Sequence, residues 1–485
     1  MNRLTPAISG LLFASVLLSA NAQVAPADAA TTAVSRQGLR MDDRRPENPF
    51  TIDLLGRPVE ITGSWEYSDE RRRNFDLQSS RLRDRRVREH ELKLEARVRP
   101  TADTEVFVEA VGLHETRHTQ GSPRAQRNGA HERGQSWLRI DRLGGTNWSM
   151  QIGRVALIDR RSWWWDDDLD AVRLIGSGDG WRLDTGVAHQ VARVSSDERR
   201  TPPEARGVTR WFGQATWELA RRHRLDGFWL IERDDSRRPI AGSSAAGSDS
   251  IDPSDFRGHW IGARSSGEWR PDAGLRIGYW ADIAWVHGRE ALTGYTESDD
   301  GRFTAGTTRK RRVRGHAYDV GTTAIFPIWL RPSVTVGYAR GSGGTRSSSR
   351  DSNFRQTGLQ ENKARLAGVK RVQTYGELLQ PELSNLGVST LAAGVRLTDN
   401  TSLELIAHQY RQPVASSTLP GSRLSADPQG RSADIGREID LVLSVRESRR
   451  LEFTLKWSHF RPGAAFAPEQ RDPARALELG VALNF

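Results

Sequence analysis

The sequence predicts an all-β protein, a transmembrane antiparallel β-barrel of about 18 strands with short periplasmic turns and long extracellular loops. Three observations predict it. Segments about ten residues long alternate apolar and polar side chains, the length and period of a tilted strand that crosses a membrane. No stretch after residue 23 approaches the ~20 consecutive apolar residues that a membrane helix requires. Short turn-forming connections alternate with long polar stretches, and the final segment carries Phe485 on its apolar phase.

The alternation is explicit. Val59, Ile61, Trp65 and Tyr67 interleave with Glu60, Thr62, Ser64 and Glu66. Leu92, Leu94, Ala96 and Val98 interleave with Glu91, Lys93, Glu95 and Arg97. Leu451, Phe453, Leu455 and Trp457 interleave with Glu452, Thr454, Lys456 and Ser458, and Leu477 to Phe485 repeat the pattern. Successive side chains on a strand point to opposite faces, so each segment has one apolar and one polar face. A soluble sandwich would alternate too. Segment length, and Trp or Tyr recurring at segment ends (Trp65, Tyr67, Trp148, Trp181, Trp280, Trp457), favour the barrel with its aromatic girdles. The closing phenylalanine resembles the C-terminal signal of bacterial outer-membrane barrels.

Short connections fall at 99–103, 143–146, 220–223, 271–274, 398–400 and 447–450. Long polar stretches fall at 68–88, 114–134, 233–257, 287–312, 341–388, 411–434 and 461–474. An even strand number returns the chain to the periplasm, and a barrel of this size is wide enough for an aqueous channel. Part of 341–388 is long enough for a loop that folds into the lumen.

Composition is consistent with this reading. Only 36% of the 485 residues are hydrophobic and 27% are charged, too polar for a large soluble core. Sixteen Trp and 14 Phe count against disorder. The absence of cysteine suits passage through an oxidising periplasm. Arg3, the apolar run Leu11 to Leu18 and the site Ala20-Asn21-Ala22 read as a signal peptide over 1–22. Residues 23–57 read as a periplasmic N-terminal segment, and 58–485 as the outer-membrane barrel.

Net charge is +10. Acidic residues interleave with the arginines, which excludes a nucleic-acid-binding reading. Loop arginines such as Arg81 to Arg88 and Arg309 to Arg312 read as contacts to lipopolysaccharide phosphates. Arg97, Arg139, Arg173, Arg396 and Lys93 lie on polar phases of strands. A cation facing lipid at midplane costs roughly 2–4 kcal/mol, so these should face the lumen, where rings of cations select anions. Glu91, Glu95, Asp141 and Glu404 would hold some of them by ion pairs. The alternative is that these charges only satisfy one another inside a structural lumen.

His114-Glu115-Thr116-Arg117-His118 matches the H-E-x-x-H pattern, but that chemistry needs a helix and the surroundings are strand and loop. No Ser-His-Asp order, phosphate loop or dinucleotide fingerprint has supporting context. No enzyme activity, metal or cofactor is expected.

Four blocks carry a resemblance. They are Trp164-Trp165-Asp166-Asp167-Asp168-Leu169-Asp170-Ala171-Val172-Arg173, preceded by Ile152-Gly153-Arg154; the run Arg331 to Gly344; Phe354-Arg355-Gln356-Thr357-Gly358-Leu359-Gln360-Glu361-Asn362, continuing to Val369; and Tyr375-Gly376-Glu377 with Pro381 to Leu386. Together they resemble the alginate-export outer-membrane proteins. The resemblance implies an 18-stranded barrel that exports an anionic polysaccharide through a constricted, arginine-lined lumen. It places Arg355 and Arg365 at the constriction, with Arg173 and Arg139 as partners and Asp168 and Asp170 as bracing acids. The implied partners are the polyuronate, the outer membrane with its lipopolysaccharide, and periplasmic biosynthesis or export components. The alternative is a general or small-anion nutrient porin, which shares the fold and a positive lumen.

Overall fold

The computed structural model describes residues 48–485, apart from 81–82, 199–200, 203–204, 237, 246–250, 272–273, 299–301, 345–348 and 449. The signal peptide and most of the N-terminal segment inferred above lie outside the described residues. Eighteen long strands form the wall. They are β1 (Arg57–Arg73), β2 (Arg85–Thr101), β3 (Thr104–Thr119), β4 (Gln126–Ile140), β5 (Trp148–Ile158) and β6 (Asp166–Gly178). Then follow β7 (Trp181–His189), β8 (Val208–Ala220), β9 (His223–Asp234), β10 (Ser254–Trp269), β11 (Arg276–Glu297) and β12 (Phe303–Ile325). The circuit ends with β13 (Ser333–Gly341), β14 (Gly387–Thr398), β15 (Thr401–Arg411), β16 (Asp434–Arg446), β17 (Leu451–Pro462) and β18 (Ala474–Asn484).

Every wall strand pairs antiparallel with its neighbour in sequence, and β18 returns to β1 in register from Ser64 opposite Asn484 to Arg73 opposite Arg475. Closure leaves no unpaired edge in lipid. At the seam Gly63 and Phe485 exchange backbone hydrogen bonds of 2.8 and 2.9 Å. The Phe485 ring lies over Gly63, where a Cβ would come within 2.7 Å of it. Phe50–Leu54, within the segment read as a lead-in, folds back on β1 as a further short strand.

The alternation sorts as the physics of a lipid solvent requires. Leu92, Leu94, Ile261, Leu391, Leu405, Leu455 and Leu479 are exposed on the outer face. Inward positions hold Glu95, Arg173, Asp282, Glu404, Asp440 and Ser458, all buried. Trp148 and Trp181 meet at 6.4 Å, and Trp269 stacks on Tyr279 at 4.6 Å, within an aromatic girdle at the short-turn, periplasmic end. Trp280 departs from the girdle assigned to it: its indole turns inward and donates to Asp319 at 2.8 Å.

Connections also depart from the sequence reading. Turns at 179–180 and 326–332, and outer connections at 159–165 and 190–207, were not marked by it. Conversely 114–134 and 287–312 are mostly wall, because β3, β4, β11 and β12 rise beyond the membrane band. Above lipid both strand faces are wet, so a polar stretch there remains strand. His114 and His118 fall on β3. Four residues of strand separate them by about 13 Å, too far to share a metal ion.

Candidate functional site

The lumen is occupied by the described chain between β13 and β14, residues 342–344 and 349–386. Within it, Arg350–Asp351 pairs parallel with Arg312–Val313, and Lys363–Ala364 pairs with Val372–Gln373. Irregular backbone at membrane depth persists only when protein surrounds it and satisfies its polar groups. Here the wall supplies those partners. Glu438 accepts hydrogen bonds from the amides of Leu378 (2.7 Å) and Leu379 (3.1 Å). Glu404 accepts from the Gly368 amide (3.0 Å), and Ser402 from Val369 (2.9 Å). Gly376 has φ +100° and passes so close to Tyr410 and Glu438 that a Cβ would lie 2.2 Å from the Tyr410 hydroxyl. Leu378, Leu379, Leu383 and Leu386 form a small apolar core inside the barrel, each 0% exposed.

A second piece of chain meets it. The connection 159–165 curls inward rather than out. Trp163 stacks on Phe354 at 6.2 Å and donates to the Tyr375 hydroxyl at 2.7 Å. Thr357 donates to the Trp164 carbonyl, and the Asp166 amide donates to the Leu359 carbonyl at 2.6 Å. Ser162 accepts at its carbonyl from Asn362 at 2.8 Å. Two of the sequence blocks quoted above therefore dock against each other, with 193 residues between Gln356 and Trp163. Beneath them Arg264, 1% exposed, donates to both Asp159 and Asp282 at 2.6 Å. Arg161 reaches Asp319 at 3.1 Å and covers the Trp280 ring at 4.2 Å. Sequence reasoning missed this network. Its trace in the sequence is acids such as Asp282 and Asp319 on the polar phase between apolar neighbours.

The predicted cations do not form a ring. Arg355 clamps Glu290 with bonds of 2.6 and 2.8 Å and reaches Asp351 at 2.8 Å. Arg365 is exposed on the inner segment, within electrostatic reach of Glu404 and Arg396. Arg173 is buried against Asp184 and the Ala156 carbonyl (2.9 Å). Arg139 binds Asp141 at 2.7 Å, Arg97 binds Glu105 at 3.1 Å, and Lys93 binds Glu91 at 2.7 Å. Arg396 donates to the carbonyls of Ala367, Gly368 and Asp399 at 3.0–3.2 Å. The bracing acids are placed differently from expectation. Asp168 and Asp170 share a strand face with Val172, which is 38% exposed on the outside. Asp170 binds Arg133 through two bonds of 2.7 Å rather than Arg173 or Arg139. A charged run at the rim of a barrel does not reveal its facing, because neither face is apolar there.

Beside the inner segment an open cavity of about 170 Å³ remains. Lys370 and Arg371 of the segment and Lys456 of β17 line it together with Glu66, Glu89, Glu91 and Glu478. Its charge is mixed, not uniformly positive.

The alginate export family model matches residues 57–477. The chain belongs to the alginate export family. Curated members of it include alginate production protein AlgE of Pseudomonas aeruginosa, 30% identical over 310 residues, covering 61% of this chain and 59% of that protein. AlgE of Azotobacter vinelandii is 24% identical over 309 residues, covering 60% of each. The chain thus matches about three fifths of the length of these relatives. Among solved structures, P. aeruginosa OpdQ superposes with a TM-score of 0.51 at 11% identity, covering 88% of this chain and 98% of that one. OpdF of the same organism gives 0.51 at 11% identity, covering 88% and 97%. These likenesses establish the fold. This alginate export family member is therefore an outer-membrane β-barrel.

Proposed function

We propose that the barrel is a passive conduit through which an anionic polysaccharide, alginate, leaves the periplasm. The observation that carries the reading is the family match across nearly the whole barrel, on a lumen narrowed by its own inner segment. Lys370, Arg371 and Arg365 stand on that segment, and the facing wall carries Lys456 among glutamates. Uronate carboxylates pass from one cation to the next, while the neighbouring acids keep each contact weak. Conduction requires exit as well as entry, so a mixed lining suits transport better than a uniformly basic one. Arg355 acts here as a positioning residue that fixes the segment, and Arg365 as a contact on the path. No covalent step and no cofactor is involved. Residues 1–22 direct export, and periplasmic synthesis components deliver the polymer to the inner mouth.

Planar-bilayer recording tests this. Anion preference with concentration-dependent block by mannuronate or guluronate oligomers, added from the periplasmic side, is the expected result. Preference without block would favour the small-anion porin, and no conductance would overturn the conduit.

A further inference from the structure

The chain carries a net charge of +10, yet the lumenal arginines described above are matched by acids and carbonyls. Several arginines unmatched among the described residues stand on the outside of the wall. Arg233 of β9, Arg257 of β10, Arg289 of β11 and Arg312 of β12 lie directly opposite one another in consecutive strand pairs. All four are exposed, on the face that carries Ile231, Ile261, Ile283, Trp285 and Val320 lower down. Arg314, opposite His287, sits one outward position closer to that apolar band.

The height is set by the register. Trp285 is 47% exposed beside Ile261, and Arg289 follows four residues on, about 13 Å along the strand. The connection 270–275 at the other end of β10 and β11 is short, so the arginine end is extracellular. The row therefore lies just above the outer lipid boundary. Like charges directly opposite on neighbouring strands repel. Asp235 relieves one step of the ladder, binding Arg233 at 2.7 Å and Arg257 at 2.5 Å. Arg289, Arg312 and Arg314 have no ion pair among the described residues. Arg311, between two of them in sequence, turns inward to Glu290 and is not part of the row.

We infer that this row is a binding site on the outer wall for the phosphate groups of an outer-leaflet glycolipid. Guanidinium forks match phosphate oxygens bidentately, and a phosphate bridging two opposed arginines removes the repulsion between them. A soluble anion has no reason to prefer this height. A headgroup anchored by acyl chains against Ile261, Ile283 and Trp285 does. The site is independent of what passes through the lumen.

The test uses the folded full-length protein in detergent, titrated with diphosphoryl lipid A and with its dephosphorylated form. Bound lipid is counted by native mass spectrometry. The triple variant Arg289→Ser, Arg312→Ser, Arg314→Ser should bind the diphosphoryl lipid at least about tenfold more weakly, since cations near the membrane surface attract anionic headgroups. A charge-matched control at the periplasmic end (Arg99→Ser, Arg221→Ser, Arg450→Ser) should bind normally. Wild type should lose binding to a similar extent with the dephosphorylated lipid, a comparison that needs no variant. Equal binding of both lipids by wild type, or undiminished binding by the triple variant, would overturn the site. Displacement by millimolar inorganic phosphate alone would point to a free-anion site and also overturn it.

Discussion

Arg355 holds two acids at once, Glu290 on β11 and Asp351 on its own segment, and Arg311 shares both at 2.5 and 3.2 Å. Replacing Arg355 with Gln leaves one guanidinium between two carboxylates. The substitution should cost about 1–3 kcal/mol of local stability, the range for hydrogen bonds to charged groups. It should raise open-channel noise more than it changes anion preference. Bilayer recordings that show a changed preference with a quiet baseline would assign Arg355 to the path instead. Leu455 shows the same reasoning on the opposite face. It is 42% exposed to lipid, so Leu455→Arg should weaken folding into bilayers by ~2–4 kcal/mol. Urea titration in lipid vesicles reads that difference, and an unchanged midpoint would reverse the facing of β17.

At the scale of elements, the inner segment is tied to the wall by carboxylates that accept its backbone amides and by the short pairing of Arg350–Asp351 with β12, while the closed circuit of wall strands is made by their pairing with each other. Replacing residues 354–383 with a short Gly-Ser linker should leave the barrel folded, raise conductance several-fold and weaken ion preference. A barrel that no longer folds would make the segment part of the wall's stability. The alternating segments, the strand number and the lipid face were legible in the sequence, because each depends only on neighbours along one strand. The docking of Trp163 on Phe354 was not. Alternation states that Asp282, Glu404 and Glu438 face inward, but not whether an arginine or a backbone amide waits there. Glu404 was expected among the acids that hold arginines; Arg396 and Arg365 are in its electrostatic reach, but it accepts a hydrogen bond from the Gly368 amide. The facing of Asp168 and Asp170 was illegible for a related reason, since they sit above lipid where polarity no longer separates inside from outside.

For the whole molecule, the partition of charge matters more than its sum. Acid and base are matched within the lumen, and the outer rim keeps cations such as Arg289 and Arg312 in excess. Selectivity should accordingly be modest and sensitive to single inner-segment cations. Lys370→Glu adds a carboxylate to the cavity that already holds Glu66, Glu89 and Glu91. It should shift the reversal potential toward cations in a salt gradient, and an unmoved potential would take that cavity off the ion path. The docking of the inner segment has one more consequence, for the order of assembly. Wall pairs other than the β18–β1 seam join strands adjacent in sequence, so each closes a comparatively small loop. The bond between Gln356 and Trp163 closes one of 193 residues, which is slow to form. Its partners come from both sides, β6 before it and β16 after it. The seam from Ser64 to Asn484 closes a longer loop still, so by the same measure the segment docks before the cylinder closes, and the sheet curls around it as cloth is rolled on a mandrel.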